Sequence, residues 1–142
     1  MKLTLAIVLT AVFGLAVAHA QDATTPPSGT LPPASTKTGV TFTNDIQPIF
    51  TANCMPCHSS AGPKKPKGGL ALDSLAGVIK GSRDGKVITV GDSAHSDLVM
   101  AVAHIGDDPD QFMPKAPKGK KAKRLTPDQI GLIRAWIDQG AK

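Results

Sequence analysis

The residues best suited to chemistry are Cys54-Met55-Pro56-Cys57-His58, which hold both cysteines of the chain. A Cys-x-x-Cys pair followed at once by histidine is the attachment pattern for c-type haem. Each thiol adds across one vinyl group, so the two sulfurs must reach two points on one edge of a porphyrin. One helical turn between them allows that. The adjacent histidine then lies over the ring plane and offers a nitrogen to iron. Cys54 and Cys57 are therefore read as thioether anchors and His58 as the proximal ligand. A backbone carbonyl is expected to hold the other ring nitrogen of His58.

Other chemistries of the same residues explain less. A thiol–disulfide pair usually sits at the strand–helix junction of a βαβ pattern, and the chain shows no such pattern. A zinc site takes about four ligands, so it would have to recruit His58 and a distant histidine. Two inert buried cysteines would leave His58 without a purpose.

The far side of the iron has five candidates: Met55, Met100, Met113, His95 and His104. Met55 lies inside the attachment loop and faces the wrong way. Met100 and His104 are i, i+4 on one helix, where methionine is usually core filler. His95 precedes a helix cap and points to solvent. Met113 precedes Pro114, which favours extended backbone, and an extended loop crossing a ring can set a thioether on the iron. Met113 is the first choice and His104 the runner-up. A thioether is soft and neutral, so it favours ferrous iron and raises the potential relative to two histidines. With both positions filled, the group carries single electrons and turns over no substrate. If Met113 does not ligate, a five-coordinate haem would act as a gas sensor or peroxidase. A third possibility keeps the same haem in an electron-transfer subunit of a larger dehydrogenase.

The rest of the chain must export and frame this site. Lys2, an apolar run over 3–17 and Ala18-His19-Ala20 predict a cleavable signal peptide over 1–20, with cleavage after Ala20. Covalent haem attachment in bacteria happens outside the cytoplasm, so a periplasmic or otherwise exported protein is expected, held at a membrane only if the segment is retained. No cysteine follows the signal, which excludes a lipid anchor there. Residues 21–39, with Pro26-Pro27 and Pro32-Pro33, read as a disordered tether. Residues 40–142 read as the domain.

Within it, Thr43 is expected to cap a helix over 44–52, with Ile46, Ile49 and Phe50 on one face. Gly68-Gly69 suggests a close backbone approach to the haem. Asp73 or Ser74 caps a short helix stopped by Gly81. Residues 87–90 are a short β-branched run. Ser96 caps a helix over 97–105 ended by Gly106. The last helix is the plainest. Thr126 caps it, Pro127 opens it, Gln129 completes a capping box, and Ile130, Ile133, Trp136 and Ile137 form its buried stripe before Gly140. Trp136 is read as core packing against the first helix.

Composition agrees with a haem-centred interior. The chain has 142 residues, a net charge of +5, four Phe and one Trp. Loss of Lys2 with the signal leaves 15 basic against 11 acidic side chains, or +4. A protein core so poor in aromatics would be marginal alone, and a large flat apolar group would fill it. All 11 acidic residues are aspartates, for which there is no physical account. Scarce aromatics and export make nucleic acid a poor partner. Lys115, Lys118, Lys120, Lys121, Lys123 and Arg124 could steer redox partner proteins with acidic surfaces.

Cys54-Met55-Pro56-Cys57-His58, Gly68-Gly69-Leu70 with Leu72-Asp73-Ser74, Val90-Gly91-Asp92 before Ser96, Met113-Pro114, and Leu125-Thr126 leading to Trp136-Ile137 and Gly140-Ala141 together resemble the class I c-type cytochromes, in particular the planctomycete-type cytochrome c domain. The resemblance covers about 40–141. It implies an all-α fold of three to five helices around one covalently bound haem c, crossed first and last helices, and ligation by the methionine of the Met-Pro pair. It also implies a monohaem electron carrier. Lys115 stands after Pro114 where a second proline is common in the family.

Overall fold

The computed structural model describes residues 29–116 and 119–142. The segment read as a signal, residues 21–28 of the tether, and Lys118 lie outside the described residues. Those described form an all-α structure: α1 (Gln47–Asn53), α2 (Met55–His58), α3 (Leu75–Lys80), α4 (Asp97–Ala103) and α5 (Pro127–Asp138), with short 3-10 turns between them. The β-branched run forms no strand; only isolated bridges, Ser82 with Gly85 and Thr89 with Asp92, occur among the described residues. No described helix is long and apolar enough to cross a membrane.

The first helix starts earlier than Thr43. Thr41 is the cap, extended at φ −117°, and its hydroxyl accepts from Asn44 N–H. Asp45 returns the favour by accepting from Thr41 N–H at 2.9 Å, so two orphan donors are satisfied at once. Lys37 pairs with the same carboxylate, and this pairing first, then the Thr41 backbone bond, holds Asp45 below the usual carboxylate range. A π-turn over Phe42–Ile46 leads into α1. Pro48 falls in the first turn of α1, where its missing N–H costs nothing.

The capping box at Thr126 and Gln129 is present at the start of α5. Ile130, Ile133, Trp136 and Ile137 are all buried, as their spacing predicts. Trp136 packs on Phe42 with ring centroids 5.8 Å apart, and Phe42 in turn meets Phe50 edge-on. The indole N–H donates to the Lys142 carbonyl at 2.9 Å, so the ring is buried with its one donor satisfied. Truncating Trp136→Ala is expected to cost about 3–5 kcal/mol, read as a lower urea midpoint with the haem spectrum retained.

Residues 31–39 depart from the tether reading. Pro32 is buried, and its carbonyl accepts from Arg134 on α5. Ser35 N–H bonds the Gly131 carbonyl at 2.9 Å, and the Gln139 amide donates to Lys37 O at 2.7 Å. Gly131 makes this approach possible, since a Cβ there would stand 2.6 Å from Pro33 O. The proline-rich strap lies along α5 because a bare backbone meets it there.

Candidate haem site

Cys54 N–H bonds the Phe50 carbonyl at 2.7 Å, which carries α1 directly to the first thiol. Cys57 and His58 N–H groups both return to Cys54 O, at 3.1 and 3.0 Å. This single turn, opened by Pro56, brings Cys54, Cys57 and His58 to the wall of one cavity of about 1220 Å³. Leu70, Leu72, Leu98 and Val102 supply much of its apolar lining. Small-molecule sites usually measure about 300–1,000 Å³, so this one admits a macrocycle.

His58 is held from two sides. Its Nδ1 lies 3.1 Å from Leu70 O, and Leu72 N–H donates to the His58 carbonyl at 2.8 Å. A carbonyl only accepts, so Nδ1 carries the proton and Nε2 keeps its lone pair for a metal. Asp73 pins the chain just beyond. Its Oδ2 accepts from Ser60 N–H at 2.6 Å, Ser60 Oγ at 2.8 Å and Ser59 Oγ at 3.0 Å. The Ser60 bonds lead in holding this carboxyl below its ordinary range. Asp73 thus belongs to the His58 clasp, and Ser74 is the cap of α3, its hydroxyl accepting from Gly77 N–H at 3.1 Å.

Met113 reaches the same cavity wall from the loop after α4. Its N–H donates to Ala101 O at 3.0 Å, and its carbonyl lies 2.9 Å from His104 Nε2. Met113–Pro114 is a cis peptide. His104 does not line the cavity. Its Nε2 is engaged by Met113 O and its ring stacks on Phe112 at 5.0 Å, so the runner-up ligand holds the first choice instead. Burial foremost, opposed by the Met113 bond and aided by Arg124 and Lys115, lowers its pKa from the imidazole value. Helix α4 ends at Ala103, short of the expected 105, because His104 turns left-handed. Met55 packs against the core, and His95 is exposed beside Asp92. Met100 lies on the cavity wall with Met113, which i, i+4 spacing alone did not reveal.

Gly68 and Gly69 both take positive φ, 63° and 72°. The close approach is to Arg83, whose N lies 3.4 Å from where a Gly69 Cβ would stand; a Cβ on Gly68 would meet nothing within 4 Å. Backbone conformation therefore favours glycine at both positions, Arg83 crowds Gly69, and Gly68 lies on the cavity wall.

These residues fit a covalently held haem. The cysteines are unpaired, and burial, with Cys57 adding, pushes the Cys54 thiol up to about 11. A thiol so hard to ionise is a poor redox nucleophile or metal ligand; a thioether bears no charge and loses nothing by burial. No group of three or more His, Cys, Asp or Glu suited to a metal occurs among the described residues.

Residues 54–117 match the family described as Planctomycete cytochrome C. Over that stretch the chain is similar to a planctomycete-type cytochrome c domain. Covalently bound haem c is the group this family implies. The domain is also similar to hydrazine synthase subunit alpha of Kuenenia stuttgartiensis, with 30% identity over 72% of this chain. The chain spans 15% of that relative's length. A solved structure of Kuenenia stuttgartiensis hydrazine synthase aligns at 26% identity and a TM-score of 0.47, covering 72% of this chain and 16% of that one.

The wall of the site carries more lysines than aspartates. Asp84, Asp97, Asp107 and Asp108 lie on it with Lys115, Lys120, Lys121 and Lys123, and so do Lys67 and Lys86 from earlier in the chain. The latter two were not singled out by the sequence, because neither belongs to a charge run at the Met113 loop. Arg124 points elsewhere, donating to Ala103 O at the end of α4, where a cation also suits the helix dipole.

Proposed function

We propose that the domain is an exported monohaem electron carrier that turns over no substrate alone. The observation that supports it is that His58 and Met113, from distant parts of the chain, share the wall of one cavity with both cysteines. Cys54 and Cys57 would hold haem c by thioethers, His58 would offer Nε2 and Met113 its sulfur. Bound there, the haem supplies an iron that accepts and releases one electron. The Leu70 carbonyl fixes the His58 tautomer and orientation. Asp73 keeps the following residues from swinging away. The leucine lining excludes water, which favours the less charged ferrous form and strengthens local electrostatics. A neutral Met113 thioether acts in the same direction. The test is an optical redox titration followed by carbon monoxide. One reversible one-electron wave and a ferrous form inert to the gas are expected; rapid binding would favour the five-coordinate sensor or peroxidase.

The lysines on the cavity wall would speed encounter with an acidic-surfaced redox protein. Raising ionic strength from about 0.01 to about 0.15 M shortens the screening length from about 30 to about 8 Å. Second-order electron transfer with such a partner is expected to slow by about tenfold, in stopped-flow; a salt-independent rate would remove the lysines from the account.

The similarity to an enzyme subunit favours a second reading, in which the domain serves docked on a larger protein. Co-purification of a stoichiometric partner from the native source separates it from a free carrier.

A further inference from the structure

We propose that His104 is a positioning residue that holds Met113 at the cavity wall through the Met113 backbone. This rests on the reading of Met113 as the sixth ligand. Helix α4 closes with paired bonds, Ile105 N–H to Met100 O at 3.0 Å and His104 N–H to Ala101 O at 3.3 Å. That motif places one residue in the left-handed region, usually glycine. Here it is His104, at φ 58° and ψ 46°. Glycine would sit there with less strain, so the side chain must supply something glycine cannot.

What it supplies is a donor. The imidazole lies on Phe112 with the planes 19° apart, which aims Nε2 at the Met113 carbonyl 2.9 Å away. The carbonyl only accepts, so Nε2 bears the proton. Ala101 O takes the Met113 N–H. Both backbone polar groups of Met113 are therefore tied to the last turn of α4, itself anchored by buried Leu98, Val99 and Val102. The intervening residues 106–111 are exposed. The two bonds at Met113 are what tie the end of this loop to α4.

The experiment compares wild type, His104→Gly and His104→Gln as haem-loaded protein. Glycine suits the left-handed backbone and removes the donor together with the ring on Phe112; glutamine returns an N–H at similar reach without the ring, which separates the two contributions. The readouts are the long-wavelength sulfur-to-iron band of the ferric protein and the fraction of ferrous protein open to carbon monoxide. One neutral hydrogen bond lost should raise that fraction about fivefold in His104→Gly, with no fall in thermal midpoint. His104→Gln should return it close to wild type. A wild-type response in His104→Gly, or equal loss in both variants, would overturn the positioning role. Absence of the band in wild type itself would show that Met113 ligation fails, before any substitution is made.

Discussion

Replacing Cys54 and Cys57 together by alanine is expected to yield a chain with no bound pigment and no cooperative unfolding transition. On the proposed reading the thioethers would retain the haem when contacts loosen, and the haem would fill the centre. The cavity measures about 1220 Å³. Unfilled apolar volume costs about 24 cal/mol per Å³, so leaving even a quarter of it dry would cost about 7 kcal/mol. Whole domains are stable by only about 5–15 kcal/mol. The aromatic part of the remaining core is Trp136 tilted against Phe42, with Phe50 edge-on to Phe42, and this cannot carry the deficit. Far-UV circular dichroism against temperature checks it: a broad, non-cooperative loss of signal is expected, and a wild-type transition without pigment would contradict the haem-as-core account.

Met113→Ala is expected to have the second largest effect, on chemistry more than on stability. If Met113 ligates as proposed, removing its thioether would free a ligand position, so the ferric long-wavelength band should disappear and the ferrous form should bind carbon monoxide. The midpoint potential should fall by on the order of 0.1 V, since axial ligands set haem potentials over about 0.8 V in all. Met100→Ala is the necessary comparison, because Met100 lies on the same wall. It is half-buried on α4 and should cost only about 1–2 kcal/mol with the band intact. If Met100→Ala abolishes the band and Met113→Ala spares it, the ligand is Met100. Both methionines have backbones bonded at N–H and C=O, so the choice of Met113 rests on the Met113-Pro114 pair.

What the sequence made legible was local. The capping box at Thr126 and Gln129, the stripe ending in Ile137, and the turn from Cys54 to His58 each depend on residues within a few positions. What it hid was paired at a distance. Asp73 looks like a cap when read along the chain, yet its carboxylate serves Ser59 and Ser60, up to 14 positions back. His104 looks like a ligand by type, but its donor belongs to a carbonyl nine positions on. The strap over 31–39 has a solvated composition, and nothing nearby announces that Gly131 on α5 leaves it room. Thr43 and Thr41 are equally good caps by type; only the reciprocal bond from Asp45 favours Thr41.

The central claim is that this polypeptide carries one haem through Cys54 and Cys57. Intact-mass measurement of the haem-loaded chain after extraction with acidified acetone tests it most directly. The account predicts that the colour stays with the protein, that the mass exceeds that of the polypeptide by one haem, and that the added mass maps to the peptide containing Cys54 and Cys57. Pigment leaving with the solvent, or a polypeptide of unmodified mass, would contradict it.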